Sequence, residues 1–477
     1  MDLRKKVLSG LGWSAGNRFI SQLFTWAITI VVMRLLSPGD YGLVAMAGFF
    51  ISFLALLNEL GLGAALIQKK DIDDLFRRQV LGLLLTSNCA FYLILSVSSP
   101  VIASFFNEQR LIPILRVSSI QFLMMIFSVI PQSLLVRSMD FKKLSIIDLA
   151  SNITGSVITL ILALIGYGVW SLVWGSLSIS LVRTVGLTIA SRFICAPSFS
   201  MKGLREVLSF GGYVMGSRVL WFFYTQADTF IIGKFLGKEL LGYYSVSMHL
   251  ASLPMDKTSG IINQVAFPAF ASIQDDSQKV SSHFLKAVRI GSFLAFPILW
   301  GMSSIAPELV AVFLGIKWHN AALPLQLLSL VIPIRMISNL MSPTMLGVGR
   351  ADISFYNTLL GFVVMPTVIV IFAHWGLLGV CLAWMIFFPL VFWRNLYRVV
   401  SVIGIRVSDV VTAMVKPALA AATMYAAIMA FKALFANDPK SIPHLVLFVI
   451  TGAMVYGAVI GSIYRQGCRE VLGLITR

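Results

Sequence analysis

The stretch VLSFGGYVMGSR, residues 207–218, repeats a stretch near the N-terminus, VLSGLGWSAGNR, residues 7–18. Six of the twelve positions are identical at a constant offset of 200 residues: Val7/Val207, Leu8/Leu208, Ser9/Ser209, Gly12/Gly212, Gly16/Gly216 and Arg18/Arg218. At the same offset the identities continue with Thr25/Thr225, Ala27/Ala227, Thr29/Thr229, Leu36/Leu236 and Gly42/Gly242. Chance similarity between two apolar helices does not produce matched glycines and arginines. The chain is therefore predicted to contain two related halves.

The composition is that of an integral membrane protein. Of 477 residues, 58% are hydrophobic and 12% are charged, against roughly 25% charged residues in soluble domains. The net charge of +17 could suggest nucleic acid, but the basic residues lie between apolar runs, so no nucleic-acid partner is predicted. The four cysteines form no CxxC pair and indicate neither a zinc site nor a disulfide framework.

Fourteen stretches are apolar and long enough to cross a bilayer core of roughly 30 Å. They lie near residues 13–35, 41–67, 79–103, 111–136, 144–166, 168–190, 207–235, 240–268, 284–304, 321–347, 352–373, 375–398, 411–435 and 443–464. If the N-terminus is cytoplasmic, 23 of the 37 Lys and Arg residues fall in cytoplasmic joints, 7 on the opposite side and 7 inside spans. This bias predicts that both termini are cytoplasmic.

The position of the repeat predicts the architecture. Six spans precede the second copy, so both copies enter the membrane from the same side, and such parallel repeats are related by an axis along the membrane normal. We expect an all-α polytopic membrane protein with a six-helix lobe in residues 1–200, a second in 201–408, and two additional transmembrane helices with a cytoplasmic tail in 409–477. Transporters of this kind place their substrate site between the halves, so the first and seventh spans are expected to line a central cavity.

Polar stripes run along both repeated spans. At 100° per residue, one face of the first span carries Arg18, Gln22 and Thr25. One side of the seventh span carries Arg218, Trp221, Thr225 and Asp228. An arginine at the centre of a bilayer costs about 3 kcal/mol even on lenient scales, so each stripe is expected to face protein or water. We interpret the uncharged members, Gln22, Thr25, Trp221 and Thr225, as lining the cavity.

Charges inside the spans are mostly basic. The deeper cations, which we predict to bind substrate, are Arg18, Arg218, Lys257 and Arg335. Guanidinium groups suit phosphate and carboxylate, so this excess predicts an anionic or pyrophosphate-bearing substrate. The acidic residues Glu59, Asp228 and Asp256 either bind a coupling ion, H⁺ or Na⁺, or balance the cations. No catalytic residue, metal site or further cofactor is predicted.

Six blocks of the sequence resemble the polysaccharide transporter family, in particular its colanic-acid-exporter-like, Wzx-type branch of the multidrug/oligosaccharidyl-lipid/polysaccharide (MOP) exporter superfamily. The blocks are SGLGWSAG (9–16), RLLSPGDYGLVAMA (34–47), ELGLGAALIQKKD (59–71), LLVRSMDFKKLS (134–145), FPAFASIQDD (267–276) and IKWHNAALPLQLLS (316–329), within a resemblance covering roughly residues 1–410. Arg18 matches an arginine in the first span of the related lipid II flippases.

The resemblance implies a MATE-like fold and a function. Such a protein flips undecaprenyl-pyrophosphate-linked oligosaccharide repeat units across the bacterial inner membrane, for the synthesis of exopolysaccharide, capsule or lipopolysaccharide O-antigen. The implied partners are the lipid-linked substrate, membrane lipids, a polysaccharide polymerase and a chain-length regulator.

Two alternatives remain open from the sequence. A cation-coupled, MATE-like antiporter of small molecules would share the two-lobed fold, but sites for cationic drugs favour acidic residues. A membrane-embedded glycosyltransferase or polymerase would be an enzyme and would need a sizeable outer loop, whereas no joint here exceeds about 20 residues. The chain also lacks the GxxxxGK[ST] motif of an ATP site, so we expect a transporter and not an enzyme.

Overall fold

A computed structural model describes residues 25–58, 66, 73–192, 195–200, 205–434 and 442–464. Within its helices, the side chains of 205–215, 217 and 256–265 are outside this description. The chain divides into two compact units. Unit 1 comprises Met1–Phe222 with Gly237–Gly242, and unit 2 comprises Phe223–Leu236 with Tyr243–Arg477. The sequence-based boundaries after residues 200 and 408 stay predictions.

The described residues form helices joined by short turns, and no strand occurs among them, which confirms the all-α prediction. Unit 1 contains α1 (Thr25–Leu35), α2 (Pro38–Asn58), α3 (Asp74–Phe106), α4 (Leu111–Met125), α5 (Val129–Arg137), α6 (Phe141–Leu164) and α7 (Val169–Ser191). Residues of both units belong to α8 (Arg205–Phe235) and α9 (Gly237–Ser272). Unit 2 continues with α10 (Ser277–Ser304), α11 (Ala322–Ser338), α12 (Met341–Gly347), α13 (Ala351–Phe372), α14 (Gly376–Ile403), α15 (Val407–Leu434) and α16 (Ile442–Ile463).

Nine segments of the described chain are long and apolar enough to cross a membrane, or ten if α4 and α5 form one span. One of the nine, Ala351–Ile403, consists of α13 and α14 joined by a short turn. The long helices α8 and α9, predicted as the seventh and eighth spans, fall outside this set. The predicted first span begins before the described residues, so the total of fourteen stays a prediction.

Local chemistry sets the helix ends. Asp73 caps α3 by accepting a hydrogen bond from the Phe76 backbone N–H at 3.0 Å, and Asp140 caps α6 in the same way. The predicted span 111–136 is bent by 43° between α4 and α5. Pro131 lies in the first turn of α5, where a residue without a backbone N–H is tolerated. Because it has no N–H, Pro131 cannot donate the hydrogen bond that would continue α4 as one straight helix. A helix therefore restarts just before this proline.

In unit 1, α6 and α7 pack closely through small residues. A Cβ atom placed on Gly175 would lie 1.8 Å from Thr159 Oγ1, and one placed on Gly155 would lie 2.1 Å from Ile179 Cγ1. Larger residues would force the backbones apart. Lipid provides little hydrophobic drive for helix association, so membrane helices gain from such close approach.

In unit 2, the last two helices pack against the rest of the unit. The α10 helix contacts both α11 and α15. Trp300 Nε1 donates to the Leu330 carbonyl at 3.1 Å, and Tyr456 of α16 donates its hydroxyl to the Phe293 carbonyl at 3.0 Å. The additional helices α15 and α16 are thus an integral part of unit 2.

Candidate functional site

A buried carboxylate lies in the part of α8 that belongs to unit 2. Asp228 is 3% exposed, and both of its oxygens accept hydrogen bonds. The Tyr244 hydroxyl donates to Oδ2 at 2.5 Å, and the backbone N–H of Thr229 donates to Oδ1 at 2.7 Å. Tyr244 is itself buried, at 1% exposure. The carboxylate that the sequence places in an apolar helix is therefore enclosed and held in one orientation.

A guanidinium group lies in the same unit, near the end of α11. Arg335 is half-buried, and its Cζ lies 4.3 Å from the ring centre of Trp384 and 5.9 Å from that of Phe388. Its Nη1 donates to Met248 Sδ at 3.8 Å. The aromatic ring faces stabilise the cation, whereas the thioether sulfur is a weak acceptor.

Arg335 and Asp228 act on one another electrostatically, but no ion pair joins them. Among the described residues, Arg335 forms no ion pair with any carboxylate. A guanidinium has five N–H donors. Among the described residues, the one acceptor that Arg335 contacts is the sulfur of Met248. The group therefore retains donors with which it could bind an anion.

The other described members of the two stripes are spread over both units. Arg218 and Trp221 lie in the part of α8 that belongs to unit 1; both are exposed, Trp221 to 57%. Thr225 is half-buried in unit 2. Thr25 is half-buried in α1, where its carbonyl accepts the Thr29 hydroxyl at 2.7 Å. The stripe on α8 thus begins exposed and ends at an enclosed carboxylate.

Five predicted site residues lie outside the described part of the structure, either wholly or in their side chains. Arg18, Gln22 and Glu59 lie outside the described residues. Asp256 and Lys257 lie on α9, but their side chains belong to the stretch that is not described. Their roles stay predictions.

Three residues that complete this cluster could not be singled out from the sequence: Tyr244, Met248 and Trp384. Each is of a type that normally packs in a membrane helix, and no spacing relates Trp384 to Arg335. The sequence contains one indirect signal. A carboxylate buried at Asp228 is costly unless hydrogen-bond donors surround it, so some residue of the fold had to supply a donor.

A polytopic α-helical membrane protein with a charged cluster inside its helices is the class that this fold and site define. A family profile described as "Polysaccharide biosynthesis protein" matches residues 31–323. The chain belongs to this family, which confirms the resemblance stated from its sequence blocks.

Individual relatives and a solved structure agree with this assignment. The chain is 26% identical over 389 residues to the lipopolysaccharide biosynthesis protein WzxC of Escherichia coli (strain K12), covering 81% of this chain and 79% of WzxC. It is 28% identical over 356 residues to the succinoglycan biosynthesis transport protein ExoT of Rhizobium meliloti (strain 1021), covering 75% and 72%. The structure of the lipid II flippase MurJ in an inward closed conformation superposes with a TM-score of 0.75 at 15% identity, covering 94% and 98%. This likeness confirms the predicted polytopic, MOP-like fold.

Proposed function

We propose that this protein flips a lipid-linked oligosaccharide repeat unit, carried on undecaprenyl pyrophosphate, across the bacterial cytoplasmic membrane for the synthesis of a surface polysaccharide. Membership of the polysaccharide biosynthesis family supports this function, as do the names of WzxC and ExoT, which refer to polysaccharide biosynthesis and transport. The protein is a transporter and not an enzyme. The glycan belongs to an exopolysaccharide, a capsule or an O-antigen.

The observation that carries the proposal is the environment of Arg335. Its guanidinium lies on the ring of Trp384 and forms no ion pair with a described carboxylate. A guanidinium can bind two oxygens of a phosphate at once, which a pyrophosphate or an acidic sugar provides. Arg335 is therefore proposed to bind the anionic head group. For Arg18, Arg218 and Lys257, substrate binding stays a prediction from the sequence.

Asp228 has a different role in this proposal. Its negative charge attracts Arg335, so it keeps the cluster near neutrality while no substrate is bound. When a pyrophosphate approaches Arg335, the two anions compete for the same cation. Uptake of H⁺ or Na⁺ at Asp228 would relieve that competition and couple ion entry to substrate movement. Glu59 and Asp256 are further candidates for the same coupling.

The location follows from the charge bias of the loops. The excess of Lys and Arg on one side supports cytoplasmic N- and C-termini in the inner membrane, with substrate entry from that side. A polysaccharide polymerase and a chain-length regulator on the opposite side are the partners that would receive the repeat unit.

The test is complementation in cells in which this chain is the sole flippase. Arg335→Gln should abolish surface-polysaccharide output while the protein stays in the membrane at normal level, and Arg335→Lys should restore part of it. One charge-assisted contact is worth about 1.5–3 kcal/mol, so apparent affinity should fall roughly tenfold to hundredfold. Arg18→Ala and Arg218→Ala are expected to reduce output as well.

Arg350→Gln is the matched control. Arg350 also lies in unit 2, but it is exposed and pairs with Asp352 at 2.9 Å, so its replacement should leave output unchanged. Full output from the Arg335→Gln variant would remove Arg335 from substrate binding. If lipid-linked repeat units accumulate in the inner leaflet of cells that carry the Arg335→Gln variant, glycan synthesis continues and flipping is the step that is lost.

A further inference from the structure

An arginine of α4 in unit 1 is anchored beside the second half of α3. Arg116 is exposed, and its Nε donates to the hydroxyl oxygen of Ser99 at 3.2 Å. Ser99 itself is buried, at 0% exposure. Within the described chain, the N–H groups on the two Nη atoms of Arg116 make no hydrogen bond. Of the five N–H donors of a guanidinium, one is thus used for the anchor and the others are available to a ligand.

A proline in α3 explains the anchor. Pro100 has no backbone N–H, so it cannot donate to the carbonyl oxygen of Ser96 in the preceding turn. The Ser99 hydroxyl donates to that carbonyl oxygen instead, at 2.8 Å. Because its hydrogen is used there, the Ser99 hydroxyl can only accept from Arg116. The proline therefore fixes Ser99 as an acceptor for the guanidinium.

Two further serines hold the backbone of Arg116 against α3. The Ser119 hydroxyl donates to the Arg116 carbonyl oxygen at 2.7 Å. Ser96 Oγ and Ser119 Oγ are 3.1 Å apart, so Ser96 is the donor in this contact between the two helices. Both the backbone and the Nε of Arg116 are thus held, unlike those of a side chain that extends freely towards water.

The length of α3 indicates the level of Arg116 in the membrane. The 33 residues of α3 span about 50 Å, against a bilayer core of roughly 30 Å, so each end of a centred helix extends about 10 Å beyond the core. Ser99 lies about 10 Å before the last residue, Phe106. Val97 and Val101 are 75% and 72% exposed, as expected for residues that face lipid at this level. Arg116 therefore lies where the hydrocarbon core meets the head groups.

The loop charges predict which leaflet this is. The segment QKKDIDDLFRR (68–78), which leads into α3, is basic and is predicted to be cytoplasmic. Since α3 crosses the membrane, its other end is predicted to be periplasmic.

An acidic side chain does not neutralise Arg116 in the described part of the chain, where it forms no ion pair. Glu108, the acidic residue closest to it in sequence, already pairs with Lys238 and Arg110. An arginine near hydrocarbon without a carboxylate partner is costly, so a ligand anion would stabilise it.

We propose that Arg116 binds the phosphate of a lipid in the periplasmic leaflet. The planar guanidinium can donate to two phosphate oxygens at once, and lipid phosphates lie at the level of this side chain. Two kinds of lipid carry the group. One is the phospholipid of the leaflet, and the other is the polyprenyl pyrophosphate carrier, an identification that rests on the proposed function.

The test measures lipid contact and contains no transport step, so it stands even if the proposed function fails. The purified full-length protein is placed in dodecyl maltoside micelles, which carry no phosphate. A phosphatidylglycerol with a diazirine in one acyl chain is the probe, and a diacylglycerol with the same chains is the matched probe without phosphate. Cross-links to peptides of α3 and α4 are quantified by mass spectrometry.

The wild type should be cross-linked about tenfold more by the phosphatidylglycerol probe than by the diacylglycerol probe. Arg116→Gln should remove this difference, as expected for loss of one charge-assisted contact. Arg116→Lys keeps the charge but not the planar fork and should retain part of it. Equal cross-linking by the two probes in the wild type, or equal phosphatidylglycerol cross-linking in the wild type and Arg116→Gln, would overturn the proposal.

Two more variants control for charge and for folding. Arg110 is exposed near the same end of α3 but pairs with Glu108 at 3.2 Å, so Arg110→Gln should change the cross-linking less than about twofold. Ser99→Ala keeps the cation and releases its Nε, so it should lower the cross-linking by roughly twofold to fivefold. If Arg116→Gln does not fold, Ser99→Ala decides, and unchanged cross-linking in that variant contradicts the anchored site.

Competition identifies the source of the phosphate. Undecaprenyl pyrophosphate is compared with unlabelled phosphatidylglycerol, and undecaprenol serves as the control without phosphate. Displacement of the probe at a lower concentration of undecaprenyl pyrophosphate supports the carrier as the ligand, and the reverse order supports the leaflet phospholipid. Displacement by undecaprenol at the same concentration as by its pyrophosphate would contradict a phosphate site.

Discussion

Replacement of Lys432 by Met should destabilise unit 2 by an amount that the structure allows to be worked out. Lys432, in the last turn of α15, has its Nζ 2.5 Å from Oε2 of Glu308 and 2.5 Å from the Ser304 carbonyl oxygen. The side chains of Lys432 and Glu308 are 14% and 8% exposed. The pair joins α15 to the segment that follows α10, and Nζ also lies 5.4 Å from the ring centre of Phe448 on α16.

Lys432→Met removes the cation and leaves the Glu308 carboxylate buried without it. Removing one partner of a buried ion pair costs about 3–5 kcal/mol. Replacing both partners, as Lys432→Met with Glu308→Gln, leaves no buried charge and should cost about 1–2 kcal/mol, most of it for lost hydrogen bonds. Glu308→Gln alone leaves the Lys432 ammonium buried without its carboxylate and should also cost about 3–5 kcal/mol. The two single changes together should therefore cost at least about 4 kcal/mol more than the double change.

The measurement is the free energy of unfolding of the purified protein, titrated with SDS in mixed micelles. Lys416→Met is the matched control, since Lys416 lies on the same helix but contacts the Tyr464 ring, 4.9 Å from Nζ. That change should cost less than about 1 kcal/mol. Equal costs for the two lysine replacements, or strict additivity in the cycle, would refute the conclusion that the pair fastens α15 to unit 2.

Two further predictions concern the hydrogen bonds of two carboxylates, Asp228 and Glu108. Tyr244→Phe removes the hydroxyl donor of Asp228 and should lower the SDS-unfolding free energy by about 1–3 kcal/mol, whereas it should cost much less in an Asp228→Asn background. For Glu108, partial burial favours the neutral form, but hydrogen bonds from Lys238 and Arg110 outweigh it and lower the pKa. Its stabilising contribution should be complete above about pH 5 and disappear as the pH falls through the lowered pKa. Lys238→Met should weaken this acid dependence and leave the part that comes from Arg110.

The helices were largely predictable from the sequence. The expected span 144–166 corresponds to α6, Phe141–Leu164, and the span 168–190 corresponds to α7, Val169–Ser191. These agreements arise because an apolar run long enough to cross a bilayer must satisfy its backbone hydrogen bonds internally. The bend before Pro131 was not predicted, although the proline that explains it is visible in the sequence.

The candidate site was predictable only in part. A charge in an apolar helix is costly wherever the helix lies, so Asp228 and Arg335 could be singled out from the sequence. The hydroxyl of Tyr244 and the ring of Trp384 could not, because an aromatic residue in a membrane helix usually packs against its neighbours.

The sequence by itself determined that the chain is an all-α membrane protein with a repeated half and cations among its helices, because the length and hydrophobicity of each run depend on nearby residues alone. Only the tertiary structure decided that the Tyr244 hydroxyl donates to Asp228 and that Arg335 lies on the ring of Trp384. Such contacts join residues far apart in the chain, and they depend on how helices pack, which no local pattern specifies.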